Sequence, residues 1–148
     1  MSGGTFVPEG FAVPERLVTD AFVLEPLGPE HNERDYDAWH SSMEHIHATP
    51  GYGSRSWPKE MTLEENRGDL EMHARHFAER VGFTYSVLDG ETVVGCVYIY
   101  PDRDGVHDAQ VRSWVRADRA ELDAPLWRAV SDWLAADWPF ERVEYAAR

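Results

Sequence analysis

Residues 108–134 read DAQVRSWVRADRAELDAPLWRAVSDWL, and the fold turns on how this stretch divides. Over Gln110–Arg116 the side chains alternate. Ala109, Val111, Ser113 and Val115 form a small, mostly apolar face, and Gln110, Arg112, Trp114 and Arg116 form a polar or amphipathic one. A period of two over this length predicts a strand with one face on a core. Further on, Leu126, Val130, Trp133 and Leu134 recur at spacings of three and four, the stripe of an amphipathic helix. Pro125 suits the first turn of that helix, where a missing N–H costs nothing, and Asp123 is placed to cap it. The unit is therefore strand, short polar loop, helix. Loop amides and a helix N-terminus pointing the same way make a natural anion site.

Working outward, Phe83–Leu88 and Thr92–Tyr100 are apolar, β-branched or aromatic runs joined through Asp89-Gly90, a hairpin signal. Gly95 in the second run points to a bulge or a close backbone neighbour. Before the hairpin, Thr62-Leu63-Glu64-Glu65 is a capping box, and Leu63, Leu70, Ala74, Phe77 and Val81 share a helix face up to Gly82. A first helix is predicted over His31–His47. There Asn32 and Asp35 resemble another capping box and Tyr36, Trp39, Met43 and Ile46 keep helical spacing. Thr49–Pro58 (TPGYGSRSWP) breaks the pattern, and a loop of that length is commonly functional. Ala21–Leu27 reads as a first strand, placed at an edge because Pro26 has no N–H for a ladder. Residues 1–20 are too broken for regular structure and too apolar for a free tail, so they are expected to lie on the core. Past the helix, Glu141–Ala146 is a last strand, reached by a crossover and so parallel to its predecessor. The fold class is α/β, α+β in layer terms. One domain over residues 1–148 holds a mixed, mainly antiparallel sheet flanked by helices.

A hairpin followed by this strand, loop and helix resembles the acyl-coenzyme A binding core of GNAT-type N-acetyltransferases. In that family the strand presents backbone to the pantetheine arm, and a loop of pattern Arg/Gln-x-x-Gly-x-Gly/Ala cradles the pyrophosphate. Arg119-Ala120-Glu121-Leu122-Asp123-Ala124 shares Arg119 and Ala124 with the pattern and carries Leu122 in place of a glycine. The resemblance implies acetyl-CoA as co-substrate, held by Trp114, Val115, Arg116, Arg119 and Ala124, and an amine as acceptor. A carboxylate near the start of the central strand often serves that family as base, which points to Asp108, with Glu44 and Glu91 as alternatives. Tyr98 and Tyr100 are candidates for the acid. The region between the first two helices shapes the family's acceptor pocket, which makes Tyr52, Arg55 and Trp57 substrate-side candidates. Leu122 removes a conformationally free residue, and Asp123 adds negative charge where a pyrophosphate would sit, so weak acetyl-CoA binding is expected. The alternative is a protein of the same shape without catalysis, binding a small ligand or a protein partner.

A net charge of −13 excludes nucleic acid and anionic membranes as natural partners, since both need clustered Lys and Arg, and leaves a small-molecule amine open. Homodimerisation is left open. The single Cys96 lies in an apolar strand and reads as core packing. There is no basic leader with an apolar run, and no stretch of the roughly 20 apolar residues that a membrane helix needs. A cytoplasmic location is the expectation. His73 and His76 are neighbours at i and i+3 but lack the remaining ligand spacing of a zinc site, so they read as solvated surface residues and no metal is expected.

Overall fold

A run of residues that alternates across a ladder needs neighbours on both edges, and the chain supplies them in sequence order. The structure is a computed structural model that describes residues 6–148. Its strands are β1 (Leu17–Val18), β2 (Val23–Pro26), β3 (Phe83–Asp89), β4 (Thr92–Pro101), β5 (Ala109–Val115) and β6 (Val143–Tyr145). They lie side by side in the order of their numbers, antiparallel throughout except that β6 runs parallel to β5. The helices are α1 (Asn32–His40), α2 (Met43–His47), α3 (Leu63–Ala78) and α4 (Asp123–Asp137). None is long and apolar enough to cross a membrane.

The two sheet faces carry separate cores. Tyr85, Val97, Ile99, Val111 and Val115 meet Leu126, Val130 and Trp133 of α4 on one face. Cys96, Trp114, Leu88 and Val93 meet Ala38 and Trp39 of α1, Ile46 of α2 and Leu70 of α3 on the other. From the N-terminal segment, Val7 is buried and Phe6, Phe11 and Val13 pack against the α4-side core. Residues 1–5 lie outside the described residues.

Three expectations need correction. The predicted first strand is not the edge, because the two-residue β1 pairs outside it. Pro26 is tolerated because β1 reaches only Val23 and Leu24, leaving Pro26 paired on one side alone, with Tyr85. The helix predicted over residues 31–47 is interrupted at Ser41-Ser42, and Asn32 and Asp35 do not cap it. Their side chains turn inward instead. Asn66 Nδ2 donates to Asn32 Oδ1 at 2.9 Å and to Asp35 Oδ2 at 3.1 Å, and Trp39 Nε1 donates to Asn66 Oδ1 at 3.0 Å. A buried polar cluster whose members satisfy one another binds α1 to α3 where an apolar stripe would have sufficed. Finally, α3 starts with the expected capping box at Thr62 and Glu65 but stops at Ala78, and Val81, expected on its buried face, is exposed. The chain leaves the helix at Arg80, whose φ of 62° ends the helical path before Gly82 is reached.

Gly95 satisfies both expectations for it. The β3–β4 register shifts between Val87 and Leu88, opposite Gly95, and a Cβ at Gly95 would run into the Trp114 carbonyl oxygen. Since both are backbone in a continuous ladder, neither can step aside cheaply. Gly95→Ala is expected to cost roughly 1–3 kcal/mol in urea unfolding. An unchanged midpoint would show that β4 and β5 do not approach as described.

Candidate active site

The loop between α2 and α3 closes over the sheet face that carries Trp114 and leaves a cavity of about 610 Å³. Tyr52, Arg55 and Trp57 all line it. Tyr52 is 1% exposed and Trp57 packs between Tyr52, Tyr98 and Trp114, so the aromatic side chains hold the loop down as well as forming the wall. Leu27 lines it from just past β2, Asp35, Asn66, Asp69 and His73 from α1 and α3, and Gln110, Arg112 and Glu144 from β5 and β6.

Asp35 is 4% exposed, and burial pushes its carboxyl up to about 7, with Asp69 adding repulsion and the hydrogen bond from Asn66 opposing both. His73 moves the other way, down to about 4, because burial and the neighbouring His76 and Arg112 disfavour its cation. The Nδ1 atoms of His73 and His76 lie 2.8 and 2.9 Å from the Tyr100 hydroxyl. These two histidines are thus packed against β4, which corrects the reading of them as solvated. Asp102, Asp104 and His107 bring one ligand atom each within 4.8 Å of one another in the turn before β5. There the Asp104 carboxylate is already taken by the His107 ring and by the Val106 and His107 amides. Cys96 is fully buried, and burial holds its thiol well above the ordinary range, as the core reading requires.

Beside the cavity the sheet opens. β5 and β6 are paired from Ala109–Val143 to Val111–Tyr145, and no pairing continues beyond. Alternate residues of a strand turn their backbone groups to the same edge. Arg116 donates its N–H to Val94 of β4, so Trp114 and Arg116 face β4, while Ser113 and Val115 face the gap. Trp114, expected to contact a cofactor, therefore turns its backbone away, and its buried indole donates to the Tyr98 hydroxyl at 3.0 Å. Ser113 takes its place at the open edge. Applying the strand parity to the backbone as well as to the side chains would have found it.

The gap is occupied by a side chain. Arg148, whose side chain is 4% exposed, donates from Nη2 to the Ser113 carbonyl at 2.8 Å and from Nε to Asp123 Oδ2 at 2.8 Å. Asp123 accordingly pairs with Arg148 and caps no helix, a further correction. Ahead of it, Ala117–Leu122 wind into a 3-10 helix. Loop amides are spent internally or on neighbours: Ala117 N–H on Ser42 Oγ, Arg119 N–H on Arg116 O, and Asp123 N–H on Ala120 O. Arg116 pairs with Asp37 and Asp118, and Arg119 with Asp89 and Glu121. Ala124 is the second residue of α4. Asp108 does not line the cavity. Its carboxylate accepts the Glu141 and Arg142 N–H groups at 2.8 and 3.0 Å, which hold it below the usual range and fix the approach to β6.

No family profile and no curated protein sequence matches the chain. Solved structures do match. RimL, a ribosomal L7/L12 α-N-protein acetyltransferase in complex with coenzyme A, aligns with a TM-score of 0.64 at 12% identity, over 80% of this chain and 66% of that one. The microcin C7 self-immunity acetyltransferase MccE, in complex with acetyl-CoA and AMP, aligns at 0.64 and 14%, over 86% and 68%. A ribosomal-protein-S5-alanine acetyltransferase from Vibrio fischeri aligns at 0.62 and 15%, over 80% and 66%. The chain has the GNAT acetyltransferase fold. It spans about two thirds of the length of these structures.

Proposed function

We propose that the protein transfers an acetyl group from acetyl-CoA to an amine bound in the cavity. The observation that carries this is the opening of β5 from β6 directly beside a cavity holding a carboxyl with a proton affinity near neutrality. Ser113 and Val115 offer backbone groups to the thioester arm, and Arg116 and Arg119 attract the phosphates. Their present partners are surface carboxylates, and exposed ion pairs are worth about 1 kcal/mol or less, so a phosphate can exchange for them. In this reading Asp35, rather than Asp108, accepts the ammonium proton, since a base near 7 is matched to that task at neutral pH. The amine then attacks the thioester carbonyl, the C–S bond breaks, and the surplus proton on nitrogen passes to the departing sulfur, so that the coenzyme leaves as free thiol. Tyr52, Arg55 and Trp57 act on the acceptor side.

The test is release of free thiol from acetyl-CoA in the presence of a mixed panel of primary amines, alongside a thermal shift with acetyl-CoA alone. A ligand that binds only the folded state raises the melting temperature once its concentration passes the dissociation constant. A shift together with amine-dependent thiol release is expected. No shift at about 1 mM acetyl-CoA, and none after Arg148 is removed, would overturn the proposal. The Arg148–Asp123 pair in the gap favours a second reading, in which a protein of GNAT shape binds a small ligand in the cavity without transferring anything to it. Ligand binding with no thiol release in any variant is its signature.

A further inference from the structure

Arg112 lies on the cavity wall, partly buried, with no carboxylate paired to it. Among the described residues its guanidinium makes no hydrogen bond and no ion pair. It lies 5.9 Å over the Tyr52 ring and 5.5 Å over the Tyr98 ring, on the wall of the cavity. Arg55 is close enough that the repulsion between the two guanidiniums, added to burial, lowers its proton affinity, and it too has no carboxylate partner. The hydroxyl of Tyr52, the ring beneath Arg112, is buried without any hydrogen-bond partner. A buried hydroxyl left unpaired costs free energy, and two like charges held together without an anion cost more. Arg55 donates only to neutral oxygens, Gly51 O and Gln110 Oε1, so two guanidiniums stand on one cavity wall without a carboxylate partner, beside an unpaired hydroxyl, and together they form a site that lacks its anion. Asp35 and Asp69, across α1 and α3, form the cavity's acidic wall.

We infer that the cavity takes a small amine that also carries an acid group, carboxylate or phosphate, with the acid held by Arg112, Arg55 and the Tyr52 hydroxyl and the amine toward Asp35. This names the acceptor class of the proposed transfer and rests on that reading for the amine. The acid half stands on the three donors alone. The aromatic walls of Tyr52, Trp57 and Tyr98 add apolar contact for a flat or aliphatic body.

Calorimetry and thermal shift without acetyl-CoA test it, using pairs that differ only in the acid. The pairs are L-phenylalanine against 2-phenylethylamine for carboxylate and O-phosphoethanolamine against ethanolamine for phosphate, with inorganic phosphate alone as a third probe. The acid-bearing member of at least one pair is expected to bind and its partner not to, and which pair responds tells carboxylate from phosphate. Arg112→Gln should weaken that binding about 10- to 100-fold, as for loss of a charge-assisted hydrogen bond. Tyr52→Phe keeps the ring packing and removes only the unpaired hydroxyl, so it should fold at least as well as the parent and bind the acid about tenfold more weakly. The inference falls if neither acid binds at about 10 mM, or if the amines without an acid bind as well. Acid binding without thiol release would leave this site standing while the transfer reading fails. Thiol release with acid-free amines alone would do the reverse.

Discussion

Arg148→Ala is expected to tighten acetyl-CoA binding about 10- to 100-fold while lowering the stability of the protein. The side chain sits in the gap between β5 and β6, donating to the Ser113 carbonyl, and a ligand arm lying along β5 must displace it. Displacement breaks a charge-assisted bond to Asp123 and one to a backbone oxygen, each worth about 1.5–3 kcal/mol, and every 1.4 kcal/mol is tenfold in affinity. Removing the guanidinium beforehand takes that work out of the binding equilibrium. The stability loss has a separate origin. Asp123 is only 21% exposed and its Oδ1 has no partner even in the intact protein, so truncating Arg148 leaves a partly buried carboxylate uncompensated. A loss of roughly 2–3 kcal/mol in urea unfolding is expected, below the cost of a fully buried pair because water still reaches Asp123.

Asp123→Ala in the Arg148→Ala background separates the two effects. It should restore most of the lost stability, since no unpaired charge remains, and should tighten acetyl-CoA binding further by removing a negative charge from the N-terminus of α4. If Arg148→Ala leaves acetyl-CoA binding unchanged or weaker, the gap does not receive the thioester arm, and the non-catalytic reading replaces the transfer reading.

Much of this was legible before any coordinates. The hairpin at Asp89-Gly90, the β5 alternation and the α4 stripe are local signals, each written within a few residues, and element order followed from them. Side chains that leave their own element were not legible. Asn32 and Asp35 have the spacing of a capping box, yet their partner is Asn66 on another helix, and nothing local tells a cap from a buried cluster. Asp123 was read as a cap for the same reason, while its partner Arg148 is 25 residues away. The loop residues Tyr52, Arg55 and Trp57 were singled out through resemblance, and the structure sets them on one cavity with Arg112. In the sequence Arg112 is only one polar residue of an alternating strand, because being unpaired is a property of the folded chain.

Asp35→Asn should make the protein more stable above neutral pH while abolishing transfer. In the folded state the carboxyl is held near 7, against an unperturbed value near 3.8, so between those limits the folded state binds more protons than the unfolded one. Stability from this group therefore falls as pH rises from about 4 to about 7 and is flat above, and a displacement of about 3 units corresponds to an upper bound of about 4 kcal/mol. His73 contributes with the opposite slope over part of the range. Its folded affinity is depressed to about 4, so its contribution is lost as pH falls from about 6.5, and only the difference between parent and variant isolates Asp35. Asparagine keeps an oxygen to accept from Asn66 and carries no charge to bury. Parent and variant should unfold at the same urea midpoint near pH 4, and the variant should be ahead by about 2–4 kcal/mol near pH 8. If Asp35 accepts the ammonium proton, the same change should slow thiol release by at least about 10²-fold. A residue whose replacement stabilises the fold and stops the reaction is kept for the reaction, because packing alone would have selected the amide. Equal midpoints at both pH values would show that Asp35 is ionised in the folded protein, and the proton would then need another acceptor among the cavity's carboxylates, Asp69 or Glu144.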